Sequence, residues 1–117
     1  MNEVKSHKDL MVWKQSMDLV IIVYKLTDKF PRHEQFSLTS QMRRASVSVP
    51  SNISEGAGRK SNKEFMRFLY ISLGSLAELE TQLEIAKRLE YVLNVEEVFE
   101  KMIYIRRMLS KLIKSIQ

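Results

Sequence analysis

Residues that break helices are scarce in this chain of 117 residues, which holds only two prolines and three glycines. Both residue types are poorly tolerated inside helices, so their scarcity leaves long stretches free to be helical. The chain is 44% hydrophobic and 28% charged, which is too apolar for a disordered polymer. Its length corresponds to one domain. We therefore expect residues 1–117 to form a single domain, with residues 1–7 flexible.

Apolar residues recur at alternating spacings of three and four, which is the heptad pattern of packed helices. The first segment that carries it, about residues 8–29, has the seam Leu10, Trp13, Met17, Val20, Tyr24 and Thr27. The third segment, about residues 61–89, has the seam Phe65, Leu69, Ser72, Leu76, Leu79, Leu83 and Ala86. The fourth, from about residue 94, has the seam Val98, Met102, Ile105, Leu109, Leu112 and Ile116.

The second segment, about residues 38–58, is the most polar of the four. We expect a helix with a kink near Pro50, because the proline ring displaces the carbonyl four residues earlier. Start signals precede three segments, namely the capping boxes Ser61-x-x-Glu64 and Asn94-x-x-Glu97, and Ser37 or Thr39 before the second segment. Short connections make neighbouring helices antiparallel. The sequence predicts an all-α, antiparallel up-down-up-down four-helix bundle.

More apolar positions are present than a lone bundle needs, which favours assembly with further copies. We expect the following residues to lie on outer faces and to form such contacts: Leu19, Val23, Ile71, Ile85 and Ile103.

No pattern in the sequence indicates catalysis, a metal or a cofactor. A di-iron bundle needs Glu-x-x-His on two helices, but the only histidines are His7 and His33, and neither lies in that motif. No serine, histidine and carboxylate share a recognisable spacing. The run at residues 56–61, Gly-Ala-Gly-Arg-Lys-Ser, lacks the spacing and the preceding strand of a phosphate-binding loop. We predict that the protein is not an enzyme.

The absence of cysteine excludes disulfides and zinc–thiolate sites and fits a reducing compartment. The longest apolar run, residues 19–24, has six residues, whereas a bilayer-spanning helix needs about 20. The start of the chain is polar and lacks the apolar core of a signal peptide. We expect a cytoplasmic protein without a membrane partner.

A polar row interrupts the third helix at spacings of three and four residues: Ser75, Glu78 and Gln82, beside Gly74. One interpretation is a solvated face. The other is a polar network, with Glu55, in which Arg43 or Arg44 is the counter-charge for Glu78 or Glu55; buried networks of this kind can specify register or assembly.

The net charge of +5 is distributed unevenly. Residues 32–60 hold five basic and two acidic residues, and residues 101–117 hold five basic residues and no acidic one. A solvated surface explains such charge as well as a surface for phosphate backbones does. Candidate phosphate-binding residues are Arg43, Arg44, Arg59, Lys60, Arg106, Arg107 and Lys111. No motif for reading bases is present, so any such binding would have little sequence selectivity.

Several strings of residues stand in the same order as in a known bacterial family. They are Trp13-Lys14-Gln15, Phe30-Pro31, Ser-Gln-Met-Arg-Arg-Ala at residues 40–45, Val-Pro-Ser-Asn-Ile-Ser-Glu-Gly at 49–56, Phe68-Leu69, and Gly-Ser-Leu-x-Glu-Leu at 74–79. Over about residues 8–115 the chain resembles the four-helix-bundle proteins encoded in intervening sequences of 23S ribosomal RNA genes. It departs from them at Ser54, where alanine is more frequent, and at Phe36-Ser37, where Tyr-Gly is common.

The resemblance implies a four-helix bundle that assembles into a ring, typically of five subunits. It also suggests kinship with accessory proteins of diversity-generating retroelements, which are basic rings that bind nucleic acid and a reverse transcriptase. The leading hypothesis is a non-enzymatic homo-oligomer, pentamer-like by this resemblance, that binds RNA or DNA through a basic surface. The alternative is a protein–protein scaffold that binds no nucleic acid.

Overall fold

The computed structural model describes residue 7 and residues 10–117, so the flexibility predicted for residues 1–7 falls almost wholly outside the described residues. The described chain is helical and has no strand, which confirms the all-α fold class. It contains four α-helices and one short 3-10 turn at Arg32–Glu34: α1 at Met11–Thr27, α2 at Leu38–Ala57, α3 at Asn62–Arg88 and α4 at Glu96–Ile116. In this part of the chain none of the helices has both the length and the apolarity needed to cross a membrane.

Each helix contacts the next one along the chain, and α1 also contacts α4. Within the described residues the two remaining pairs, α1 with α3 and α2 with α4, have no Cα atoms within 8 Å of each other. The four helices are thus arranged as the corners of a square bundle, and α2 and α4 lie diagonally opposite. The molecule is elongated, with principal extents of 46 × 25 × 19 Å.

The α1–α2 and α3–α4 connections meet at one end of the bundle. The ring of Phe30 packs against that of Tyr91, with 5.4 Å between centroids, and the Tyr91 hydroxyl donates a hydrogen bond to Glu34 at 2.8 Å. Since α2 begins here and has 20 residues, it ends about 30 Å away at about 1.5 Å per residue. These contacts are compatible with the predicted up-down-up-down order. Helix α2 continues through Pro50, and the kink there stays a prediction.

The seams predicted for α3 and α4 lie in the core or pack against it, but the seam predicted for α1 is only partly right. Its Met17 and Tyr24 are exposed, whereas Leu19 and Val23 are 0% and 1% exposed. Leu19 and Val23 are therefore not outer-face contact residues; Ile71, Ile85 and Ile103 are exposed as predicted. The buried face of α1 is Val12, Ser16, Leu19, Val23 and Thr27.

The buried face of α1 includes two hydroxyls. Two overlapping apolar stripes run along the helix; both include Thr27, and the stripe that is buried also includes Ser16. Each hydroxyl donates to a carbonyl of its own helix at 2.7 Å, Ser16 to Val12 and Thr27 to Val23. Because both hydroxyls are satisfied within the helix, their burial carries little penalty.

One of the predicted start signals forms. The Ser61 hydroxyl accepts a hydrogen bond from the Glu64 amide at 3.2 Å. The box at Asn94 does not form, because α4 begins at Glu96, after Val95, whose side chain is buried in the core. Ser37 and Thr39 do not cap α2 through their side chains either.

At the start of α2 the Leu38 amide donates instead to Oε1 of Glu34 at 3.3 Å. A carboxylate at a helix N-terminus is also favoured by the helix dipole. The acceptor thus comes from the 3-10 turn in the preceding connection, outside the helix that it caps.

Small side chains allow α2 and α3 to pack closely. The Ser72 hydroxyl donates to the Val49 carbonyl at 2.8 Å, and the hydroxyls of Ser48 and Ser75 are 2.8 Å apart. A Cβ atom built on Gly56 would lie 2.8 Å from Cβ of Phe68, closer than two carbons can approach. This contact therefore requires glycine at residue 56.

Two glycine-to-alanine substitutions test this packing as a matched pair. Gly56→Ala should lower the free energy of unfolding by about 1–3 kcal/mol, because the added methyl overpacks the contact with Phe68. Gly74→Ala should raise it by about 0.5–1 kcal/mol, because glycine is a poor helix former and no atom lies within 4 Å of its built Cβ. Urea unfolding followed by circular dichroism measures both. Equal effects of the two substitutions would contradict the close contact.

Candidate nucleic-acid interface

The structure places the seven candidate phosphate-binding residues on three separate parts of the bundle. Arg43 and Arg44 lie in the first half of α2. Arg59 and Lys60 lie in the α2–α3 connection. Arg106, Arg107 and Lys111 lie on α4, which is diagonal to α2. One chain therefore does not bring all seven onto a single surface.

Two of the seven residues are held by carboxylates. Arg59 Nη2 lies 3.0 Å from Glu55 on the preceding turn, and its guanidinium lies 4.9 Å from the centroid of the Phe68 ring. Arg106 pairs with Glu80 of α3.

Arg43 is held mainly by α1. Its Nε donates to the Thr27 hydroxyl at 2.9 Å, and its guanidinium lies 4.6 Å from the centroid of the Tyr24 ring. The nearest carboxylate, that of Asp28, is 3.9 Å away and largely solvated.

The other four residues carry exposed cations: Arg44, Lys60, Arg107 and Lys111. Among the described residues none of them has a carboxylate oxygen within 4.0 Å, the limit for an ion pair. A phosphate that binds one of these four cations does not have to displace an ion pair within the protein.

Two of these four residues, together with Lys114, form a row of cations along the outer face of α4. Arg107, Lys111 and Lys114 are exposed and follow one another at spacings of four and three residues, which places them on one side of the helix. We call these three residues the α4 basic row. The exposed ring of Tyr104 lies one turn before the row, and residues 101–117 contain no acidic residue. Lys114 also lies in the last turn of α4, where the helix dipole favours a cation.

The polar network predicted on α3 forms only in part. Ser75 pairs with Ser48 across the α2–α3 contact. Gln82 is 5% exposed, and its Oε1 has no hydrogen-bond partner in the described chain. Glu78 is exposed to solvent.

Within one chain, the counter-charge predicted for the network does not form. Glu55 pairs with Arg59, which lies four residues later in the α2–α3 connection. Arg43 faces α1 rather than α3, and its guanidinium contacts Thr27, Asp28 and Tyr24. Arg44 is exposed and pairs with neither Glu78 nor Glu55 within the described residues.

A groove of about 590 Å³ lies beside Arg43 and Arg44, between α1, α2 and the connection that joins them. We call it the α1–α2 groove. Its lining contains two arginines, two aromatic rings and no carboxylate: Tyr24, Gln35, Phe36, Thr39, Ser40, Arg43, Arg44, Val47 and Ser48. Neither Tyr24 nor Phe36 was predicted from the sequence as a residue of this site. One feature of the sequence could have indicated Phe36: it lies outside every heptad seam and precedes the pair Arg43-Arg44.

Glu34 fixes the connection that carries Phe36. Its carboxylate accepts hydrogen bonds from the Tyr91 hydroxyl and from the Leu38 amide, at 2.8 and 3.3 Å. These hydrogen bonds, with that of Tyr91 the larger cause, lower the pKa of Glu34. The same hydrogen bond raises the pKa of Tyr91, because its phenolate would face a carboxylate.

Among the described residues no three His, Cys, Asp or Glu side chains cluster closely enough to hold a metal ion.

The variant Tyr91→Phe tests this contact through its pH dependence. It keeps the ring beside Phe30 but removes the hydroxyl, so it should unfold at a lower urea concentration than the parent at pH 7. A lowered pKa stabilises the fold above the ordinary glutamate pKa of about 4.3, and this contribution is lost as the pH falls through the lowered value. The difference between the two proteins should therefore shrink in acid. Tyr70→Phe, at an exposed ring, is the control; a difference independent of pH would contradict the role of the Glu34 carboxylate.

Comparison with known proteins agrees with the geometry of the bundle. Residues 8–114 match the family model of the 23S rRNA-intervening sequence protein. No curated protein matches the chain. A crystal structure from Bacteroides thetaiotaomicron, of a protein of unknown function from the S23 ribosomal protein family, is similar with a TM-score of 0.83 and 26% sequence identity, over 92% of this chain and 98% of that chain. The chain belongs to the 23S rRNA-intervening sequence protein family.

Proposed function

We propose that this protein is a non-enzymatic homo-oligomer that binds RNA or DNA through basic side chains, with little sequence selectivity. The observation that carries the proposal is the α4 basic row, because its three cations share one exposed face and have no carboxylate near them in the described chain. The family's connection with ribosomal RNA genes is consistent with an RNA ligand but names none.

The physical basis of binding is the release of counterions from phosphates. Each lysine or arginine that neutralises a phosphate frees bound cations, so affinity falls steeply as salt rises. The row supplies three such contacts on a rigid helix. Contacts to phosphate carry no sequence information directly, and the row contains no amide side chain of the kind that reads an adenine edge. This accounts for the low selectivity that we propose.

Assembly would multiply the effect of one row. Ile71 and Ile85 on α3 and Ile103 on α4 are exposed apolar side chains that self-association would cover. In a closed ring each copy repeats the same row, and linked contacts bind more tightly than a single contact does. A ring of five is the arrangement that the family resemblance implies. The same exposed residues support the alternative, a protein scaffold without nucleic acid, to which a reverse transcriptase or another protein would bind.

Charge reversal on α4 tests the proposal. The double variant Arg107→Glu/Lys111→Glu should bind blunt RNA and DNA duplexes at least about tenfold more weakly at low salt. It should also reduce the slope of log Kd against log salt by about two, since each phosphate contact contributes about 0.9. Fluorescence anisotropy at several salt concentrations measures both values.

The matched control is Lys25→Glu/Lys87→Glu, which makes the same change in net charge at exposed lysines on α1 and α3. It should keep most of the affinity, and circular dichroism should show equal helicity in both variants. Equal losses in the two double variants would show that only net charge matters and would contradict the assignment to α4. An oligomer of the parent protein that ignores both duplexes at low salt would favour the scaffold.

A further inference from the structure

We propose that the α1–α2 groove binds an unpaired nucleobase and its adjoining phosphate, with the base stacked on Phe36 and the phosphate bound by Arg44. This inference rests on the proposed function and deepens it, because it names single-stranded nucleic acid as a ligand of a second part of the bundle. Residues on α4 bind phosphates of paired or unpaired strands alike, whereas this groove accepts only bases that are out of a duplex.

Phe36 has the exposure that a stacking platform needs. Its side chain is 90% exposed, while the other four phenylalanines of the chain are buried or half-buried. The backbone around it is nevertheless fixed: the Ser37 amide donates to the Glu34 carbonyl at 3.0 Å, and the Glu34 side chain is held by Tyr91. An exposed ring on a fixed connection binds a base with little loss of backbone entropy.

The two arginines of the groove differ in their contacts with the rest of the protein. Arg43 is fixed against the Tyr24 ring and the Thr27 hydroxyl, so it forms part of the wall and adds positive charge there. Arg44 is exposed and, within the described chain, has no carboxylate within ion-pair distance. With no carboxylate in the lining, the groove attracts anions, and the planar guanidinium of Arg44 suits a phosphate.

The polar side chains of the lining favour a base over an apolar protein segment. The amide of Gln35 and the hydroxyl of Ser40 make no hydrogen bond to another described side chain. An apolar helix laid in the groove would bury these groups without partners, which is costly. A nucleobase has an apolar face for Phe36 and, at its edge, donors and acceptors for these groups.

Four substitutions at the groove separate stacking from other kinds of contact. The probes are an oligouridine and an oligothymidine of about twelve nucleotides, a length within the range that single-strand-binding folds cover. The blunt RNA duplex used for the α4 test is the paired reference. Phe36→Ala and Phe36→Leu should each weaken binding of the single strands about tenfold, and Phe36→Trp should keep or raise it. Arg44→Gln should weaken it and reduce the salt slope by about 0.7, the value for one contact on a single strand.

The control is Leu93→Ala, which removes a 92% exposed apolar side chain on the α3–α4 connection and should change nothing. All these residues are exposed, so urea unfolding should show equal stability. Loss with alanine but retention with leucine would mean a hydrophobic contact rather than stacking and would overturn the proposal. Phe36 variants that bind single strands as the parent does would also overturn it and would favour a protein ligand for the groove.

The two proposals fail in different ways. If the α4 variant binds every probe normally, the assignment to α4 fails even where the Phe36 variants lose single strands. If the Phe36 variants lose duplex and single strands equally, the groove is not selective for unpaired bases, and this inference fails while the assignment to α4 stands. If the parent protein binds no probe at low salt, both fail.

Discussion

The close contact of α2 with α3 determines how the polar residues of α2 are used. Because Gly56 leaves no room for a side chain against Phe68, and because Ser48 and Ser72 hydrogen-bond across the contact, the α3-facing side of α2 is small and polar. The larger cations, Arg43 and Arg44, then lie toward α1 and solvent. There the two arginines line the α1–α2 groove.

The candidate basic residues form two groups. The side chains of one group are held by contacts within the protein, and those of the other have no ion pair in the described chain. Arg59 and Arg106 are held by carboxylates, and Arg43 is fixed by the Tyr24 ring and Thr27. Exposed ion pairs contribute little to stability, so these contacts mainly fix side-chain positions. The cations without such partners occur on opposite helices of the bundle. A single chain therefore presents separate basic areas, and a nucleic acid that contacts more than one of them must follow the surface or bridge several copies.

The sequence predicted the fold better than it predicted the site. Long seams on α3 and α4 have one apolar stripe each, so their burial follows directly from spacing. Helix α1 has two overlapping stripes, and spacing alone does not decide which one is buried; the stripe that is buried includes Ser16, whose hydroxyl is satisfied within the helix. The site was harder to predict because the ion pairs of its side chains depend on tertiary contacts. The spacing of Arg43 and Glu78 in the sequence does not reveal that Arg43 faces α1. Phe36 was not predicted as a site residue because its exposure is set by a connection, which periodicity does not describe.

The central claim is that exposed cations bind phosphate backbones, and the salt dependence of binding tests it most directly. The measurement is the affinity of the parent protein for a DNA duplex at ionic strengths from about 0.05 to 0.3 M. Three phosphate contacts by the α4 basic row predict a slope of log affinity against log salt of about −2.7 per bound copy, and a steeper slope if further copies bind. An affinity that does not change with salt, or no binding at the lowest salt, would contradict the claim.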